Sequence, residues 1–204
     1  LVARRLTEIK AEWGGEAINF LGAGRAALLQ LAHPPVAHAI DQHSATKHDP
    51  IGRFRRTFQN VFAMVFGDLD HALTAARRVH TIHERIRGHM SESAGAYEKG
   101  TAYEANAEHA LLWVHATLWE SSIKTYELLF RPLSADFKQR YYQETKLFAY
   151  LFGISDEVLP ATWPDFLAYN ERIAAGERQQ GLQWSADVAL SPQGAITVML
   201  ASSA

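Results

Sequence analysis

Apolar residues recur at three- and four-residue spacing through most of the chain, whereas the alternation expected of half-buried strands is scarce before residue 182. The pattern predicts an all-α fold, with helices over 3–13, 16–32, 35–46, 52–66, 69–87, 104–130, 134–152 and 164–175. End signals agree with these bounds. Asp68 is placed to cap the helix that Gly88 closes, Pro34 and Pro35 end one helix and open the next, and Ser134 caps the helix after Pro132. Between two long helices, Gly88 to Gly100 is rich in Ser, Ala, Gly and Glu with almost nothing to bury, and reads as a mobile loop, either lid or connector. From Gly181 the periodicity changes over Leu182 to Leu190, followed by Ser-Pro-Gln-Gly and an apolar end. The expected organisation is one multi-helix globular domain over 1–180 with an irregular or hairpin-like tail over 181–204.

Composition narrows what such a domain can do. A chain of 204 residues, 48% hydrophobic, buries one sizeable core. Twenty basic against 22 acidic residues leave a formal charge of -2, so no overall field favours nucleic acid or an anionic membrane surface. The absence of cysteine excludes disulfides, thiolate zinc, iron–sulfur clusters, covalent c-type haem and a thiolate-ligated iron. Any metal must be held by His, Asp, Glu or Tyr. Apolar runs such as Val61 to Phe66 fall far short of the roughly 20 residues of a spanning helix, so no transmembrane segment is expected. No charged start followed by an apolar core opens the chain, and the expected location is the cytoplasm, a removed leader aside. The oligomeric state is not legible.

Two motifs invite readings that the surrounding pattern weakens. Gly22-Ala23-Gly24-Arg25-Ala26-Ala27 matches a GxGxxA dinucleotide fingerprint, but that fingerprint needs a preceding strand in a βαβ unit, and helix follows helix here. A glycine contact between packed helices is the better account. His33, His38, His43 and His48 recur every five residues, with Asp41 and Asp49 among them, so a non-haem His/Asp metal-dependent enzyme is one alternative. Five-residue spacing advances about 140° per step on a helix, however, and fans the rings around the axis. No HExxH, Glu-x-x-His or GxSxG occurs to support zincin, di-iron or serine-hydrolase chemistry.

The segment Arg77 to Gly88 is more informative. On a helical projection His83 is centred on a stripe of Leu69, Ala72, Ala76, Val79 and Ile86, with Arg87 one turn on. An inward neutral imidazole can present one nitrogen to a haem iron, and flanking arginines can neutralise haem propionates. On pattern alone, a core histidine bonded to a backbone carbonyl is the better account. His115 is equally centred on the stripe of Leu111 to Glu120, completed by Ser122, Tyr126 and Leu129, and the projection does not separate the two. A third cluster, Asp49-Pro50-Ile51-Gly52-Arg53-Phe54-Arg55-Arg56-Thr57, opens a helix with three arginines. Arg53 and Thr57, four apart, share a face with Arg56 nearby and form a cationic, hydroxyl-bearing surface suited to an anion or to a site of developing negative charge. Positive charge there opposes the helix dipole, so something should compensate it.

Together, Gln30-Leu31-Ala32-His33-Pro34, the Asp49 to Thr57 cluster, His80-Thr81-Ile82-His83-Glu84-Arg85-Ile86-Arg87-Gly88 and Trp113-Val114-His115-Ala116-Thr117-Leu118 resemble the rubber oxygenase (latex-clearing protein) and MpaB-type oxygenase family, in order and spacing, from about residue 14 to 175. The resemblance implies a helical protein that holds a b-type haem through a histidine and uses dioxygen to cleave carbon–carbon double bonds in an apolar, isoprenoid-like small molecule. It puts the proximal iron ligand on His83, because the rubber enzymes keep that histidine but not the one matching His115; His115 stays a candidate on the projection alone, as a second inward histidine that could flank the cofactor. It also implies that Arg53 and Thr57 line the oxygen side, and that Arg56 and Arg87 belong to the cofactor surroundings. Arg56 stands where the rubber enzymes carry a lysine, and no glutamate lies between His33 and His48 to serve as their base. The rival of a different class is a non-catalytic helical protein that binds haem or lipid in the same pocket.

Overall fold

The computed structural model describes residues 16–44 and 49–179. The described chain runs through seven helices and one short hairpin: α1 (Glu16–Leu31), α2 (Pro34–His43), α3 (Pro50–Phe66), α4 (Leu69–Glu84), β1 (Arg87–His89), β2 (Ala102–Glu104), α5 (Glu108–Leu129), α6 (Ala135–Phe152) and α7 (Trp163–Gln179). The expected helix over 3–13 and tail over 181–204 lie outside the described residues. No helix among those described is long and apolar enough to cross a membrane.

The helix starts follow from local chemistry. Asp49, Asp68 and Ser134 each accept a hydrogen bond from the backbone N–H three residues on, at 2.8, 2.9 and 3.2 Å, covering donors that the first turn cannot satisfy internally. Asp49 also supplies the compensation that the basic start of α3 requires, since its other carboxylate oxygen accepts from Arg56 at 3.1 Å. At the far end of α6, Gly153 adopts φ 96°, and its N–H and that of Ile154 return to carbonyls of the last turn.

α5 is the central element. It packs against α1, α6 and α7, while α3 pairs with α4 and both reach α6. Ala116, Ile123, Tyr142 and Phe166 are almost wholly buried where α5, α6 and α7 meet. A second apolar cluster, Met64, Val65, Ala75 and Phe148, joins α3 and α4 to α6. The GxGxxA stretch lies within continuous α1, not in a turn that follows a strand. Its Gly22 lets α1 approach α5 closely: a Cβ there would stand 3.2 Å from Thr125 Oγ1 and 3.3 Å from the Ser121 carbonyl. Arg25 fastens the same pair, donating to Ser121 Oγ at 2.7 Å and to the buried Glu120 carboxylate at 3.0 Å.

Three expectations need correction. α4 ends at Glu84 rather than near 87, and Gly88 belongs to a strand, β1, whose residues pair antiparallel with β2 in the register Arg87–Glu104, Gly88–Tyr103 and His89–Ala102. The connection between the two long helices is therefore an ordered hairpin. It does bury side chains, with Met90 2% and Tyr103 5% exposed, and it is tied to α2 where the Tyr103 hydroxyl donates to Gln42 Oε1 at 2.6 Å. Leu69, assigned to the inward stripe of α4, is 72% exposed because it sits in the first turn, before the helix reaches the core.

Candidate functional site

Between the α1–α2 arm, the α3–α4 pair and the α5–α6 pair lies a cavity of about 1260 Å³. Most of its lining is apolar and comes from every wall: Ala27, Ile40, Val79, Val114, Leu118 and Phe148. Its polar groups are concentrated on α3 and α4, where Arg53, Arg56, Thr57, Arg78 and His83 line it, and at Tyr97 and His109. Asp70 and Glu104 also reach the lining.

α3 brings Arg53 and Thr57 to the cavity one helical turn apart, as their four-residue spacing requires. Burial lowers the pKa of Arg53, and among the described residues no carboxylate pairs with it. The cation is thus partly stripped of water and uncompensated, the state in which it binds an anion or developing negative charge most strongly. Arg56 differs: it lines the cavity but is more than half exposed and committed to Asp49.

His83, in the last turn of α4, stands edge-on to Phe152 with ring centroids 6.0 Å apart. Burial lowers its pKa, and the neighbouring His80 lowers it further, so the ring is neutral at neutral pH. Its Nδ1 is buried and makes no hydrogen bond. Beside it is Asn106, whose Nδ2 donates to the His80 carbonyl at 3.2 Å and whose Oδ1 is likewise buried and unbonded. Asn106 is close enough to oppose the lowering of the His83 pKa, without the geometry of a formed hydrogen bond.

His115 is placed differently. It is wholly buried on the side of α5 that meets α6 and α7, stacked on Phe148 and edge-on to Phe166, and it does not line the cavity. Burial pushes its pKa down to about 3, and its Nδ1 accepts from Trp119 Nε1 at 3.0 Å. Arg87 is also off the cavity: it is exposed on β1, with Nε and a terminal nitrogen donating to the Glu84 carbonyl at 3.2 and 2.9 Å. The structure therefore brings Arg53, Arg56, Thr57 and His83 to one cavity and leaves His115 and Arg87 outside its lining.

The five-residue histidine series does not converge. His33 is 5% exposed beside Tyr97, whose hydroxyl lies 3.4 Å from its Nε2, and burial pushes its pKa down to about 4, with His109 adding to the shift. His38 Nδ1 lies 3.0 Å from the Pro34 carbonyl, and His43 Nε2 3.1 Å from the Tyr103 hydroxyl. His48 lies outside the described residues. Among those described, no group of three or more His, Asp or Glu side chains is placed to hold a metal ion.

Sequence reasoning missed Asn106, Tyr97, His109 and Arg78. Asn106 and Tyr97 lie in the segment between α4 and α5, where no periodicity announces which way a side chain points. His109 and Arg78 are ordinary polar positions of amphipathic helices until a cavity is known to lie beside them.

A family model described as "ER-bound oxygenase mpaB/B'/Rubber oxygenase, catalytic domain" matches residues 11–196, nearly the whole chain. Searches of curated proteins and of solved structures gave no match.

Proposed function

The chain belongs to the mpaB and rubber oxygenase catalytic-domain family, and from that premise we propose that it is a haem b-dependent oxygenase acting with dioxygen on an apolar, isoprenoid-like small molecule. The observation that carries this reading is His83, a neutral imidazole in the wall of a large apolar cavity, with a buried, unbonded Nδ1 next to an equally unbonded Asn106 Oδ1.

The residues present fit a haem. The cavity exceeds the roughly 300–1,000 Å³ of an ordinary small-ligand pocket, leaving room for a macrocycle and a substrate together. His83 is the proposed iron ligand, and Asn106 is the group positioned to hold the proton of its other nitrogen, the arrangement that fixes the tautomer of a ligating imidazole. When bound, haem iron supplies the electron exchange with dioxygen that protein side chains cannot provide. The chain's own part is to shape the reaction around it. Arg53 offers a desolvated cation to negative charge developing on the oxygen side, and Thr57 adds a hydroxyl one turn away that can donate or accept. The apolar walls admit hydrocarbon beside both groups.

Reconstitution with haem tests the reading. The full chain should develop a Soret band that disappears in His83→Ala and largely survives in His115→Ala. Loss in the His115 variant with retention in the His83 variant would overturn the assignment. Asn106→Ala should weaken haem binding by about 10-fold or more, as removal of a partner that orients a ligand does.

A further inference from the structure

On the outer side of α4, a second recess of about 530 Å³ opens to solvent. Arg77, Arg78, Thr81 and Arg85 line it together with Ile82 and Ile86, and no Asp or Glu among the described residues does. Helical spacing accounts for the arrangement: 77, 81 and 85 lie along one line of the helix surface, 78, 82 and 86 along the next. The helix dipole gives Arg85 a structural reason to be there, since it is the C-cap residue of α4. It gives none to Arg77 and Arg78, two turns earlier. Neither has a carboxylate partner among the described residues, in a chain whose overall charge is slightly negative.

The recess adjoins the large cavity: His43, Arg78, Ile82 and Ile86 line both, along one edge of α4 and α2. A predominantly apolar chamber beside a groove of unpaired guanidinium groups has the polarity of an amphiphile: hydrocarbon inside, anion at the rim. We propose that the substrate or ligand of this site carries an anionic headgroup, a carboxylate or phosphate, which Arg77, Arg78 and Arg85 hold at the groove while its apolar chain enters the cavity. Arginine suits this role because its planar fork engages two oxygens of such a group at once. Ile82, 49% exposed between the two spaces, offers the chain an apolar surface as it passes from groove to cavity. The inference rests on reading the cavity as the substrate chamber and is independent of whether haem occupies part of it.

Equilibrium binding to the full chain, followed by calorimetry in about 0.1 M salt, tests this with three probes: farnesyl diphosphate, farnesol and inorganic diphosphate. The first has both chain and anion, the second only the chain, the third only the anion. The expected result is that farnesyl diphosphate binds at least tenfold more tightly than either of the others. In the double variant Arg77→Gln with Arg85→Gln, that advantage should fall to about twofold while farnesol binding stays within twofold of the parent. Equal affinity for farnesol and its diphosphate would overturn the proposal. So would inorganic diphosphate binding as tightly as the prenyl compound, or a double variant that loses farnesol equally. Soret titration of the same protein separates this from the haem reading. Loss of haem rather than of headgroup selectivity in the double variant would mean that these arginines serve the carboxylates of the cofactor, and the proposal would fall. Selective binding of farnesyl diphosphate by a chain that takes up no haem would uphold it and remove the haem assignment instead.

Discussion

Trp119 donates its indole N–H to Nδ1 of His115, one turn back on the same helix, at 3.0 Å. The bond makes Nδ1 an acceptor and so places the imidazole proton on Nε2, which is buried without a partner. Trp119→Phe would leave both ring nitrogens unsatisfied in a fully buried position. The expected cost is about 1–3 kcal/mol of unfolding free energy, read by urea denaturation, with haem uptake unchanged. A variant that lost haem while keeping its stability would mean that His115 acts at the cofactor after all.

Acid should unfold the chain through its buried histidines. The folded-state pKa of His33 is pushed down to about 4 and that of His115 to about 3, by burial first in each case, against an ordinary value of 6.5. Below pH 6.5 the unfolded chain takes up protons that the folded chain refuses, so stability falls as pH falls. The fall continues to about pH 4 for His33 and about pH 3 for His115. Two such groups give a slope of up to about 3 kcal/mol per pH unit between 6.5 and 4. Above 6.5 neither contributes to any pH dependence. Urea midpoints at a series of pH values, compared with those of His33→Asn, should show a shallower slope in the variant; an unchanged slope would refute the assignment.

Arg53 should separate stability from activity. It is a partly desolvated cation in the first turn of α3, without a carboxylate partner among the described residues and set against the helix dipole. Arg53→Met is expected to leave the melting temperature unchanged or to add about 1 kcal/mol of stability. If the proposed role is correct, it should reduce substrate-dependent oxygen uptake by about 10²-fold, the scale of losing one donor at a site of developing charge. A variant that is both less stable and fully active would place Arg53 in the scaffold.

Gly88 is the tightest point of the hairpin. A Cβ there would overlap the Tyr103 hydroxyl and approach Gln42, breaking the link by which β2 is fastened to α2. Gly88→Ala should cost about 1–3 kcal/mol, the usual range for overpacking. Because the collision is with the hydroxyl, the double variant Gly88→Ala with Tyr103→Phe should recover part of the loss, a coupling that a double-mutant cycle measures. Additive losses would show that the hydroxyl is not the obstacle.

What could be read from the sequence divides along the same physical line. The helices and their caps at Asp68 and Ser134 were legible because they depend on neighbours three and four residues away. The choice between His83 and His115 was not, because a projection registers only that a side chain faces other protein. α5 is covered on several sides: His115 faces α6 and α7, whereas Val114 and Leu118 on the same helix face the cavity. His83 lines the cavity from the last turn of α4. The hairpin was missed for a related reason. Met90 and Tyr103 are single buried residues in a polar, glycine-rich stretch, and two isolated anchors make no period. That Arg53 and Thr57 share a face was legible because they lie four apart behind an Asp-Pro start, a signal written entirely within one turn.

The two ends of α3 are held very differently. Met64 and Val65 near its C-terminus are buried among residues of α4 and α6, whereas Ile51 near its start is 81% exposed. A ladder of phenylalanines, Phe54, Phe58, Phe62 and Phe66, with ring centroids 4.4–5.9 Å apart, stiffens the length between them. Arg53 and Thr57 stand on the half of α3 that lies outside this core cluster, so either side chain can be changed, and the cavity wall with it, without removing a contact on which the packing of α3 against α4 and α6 depends.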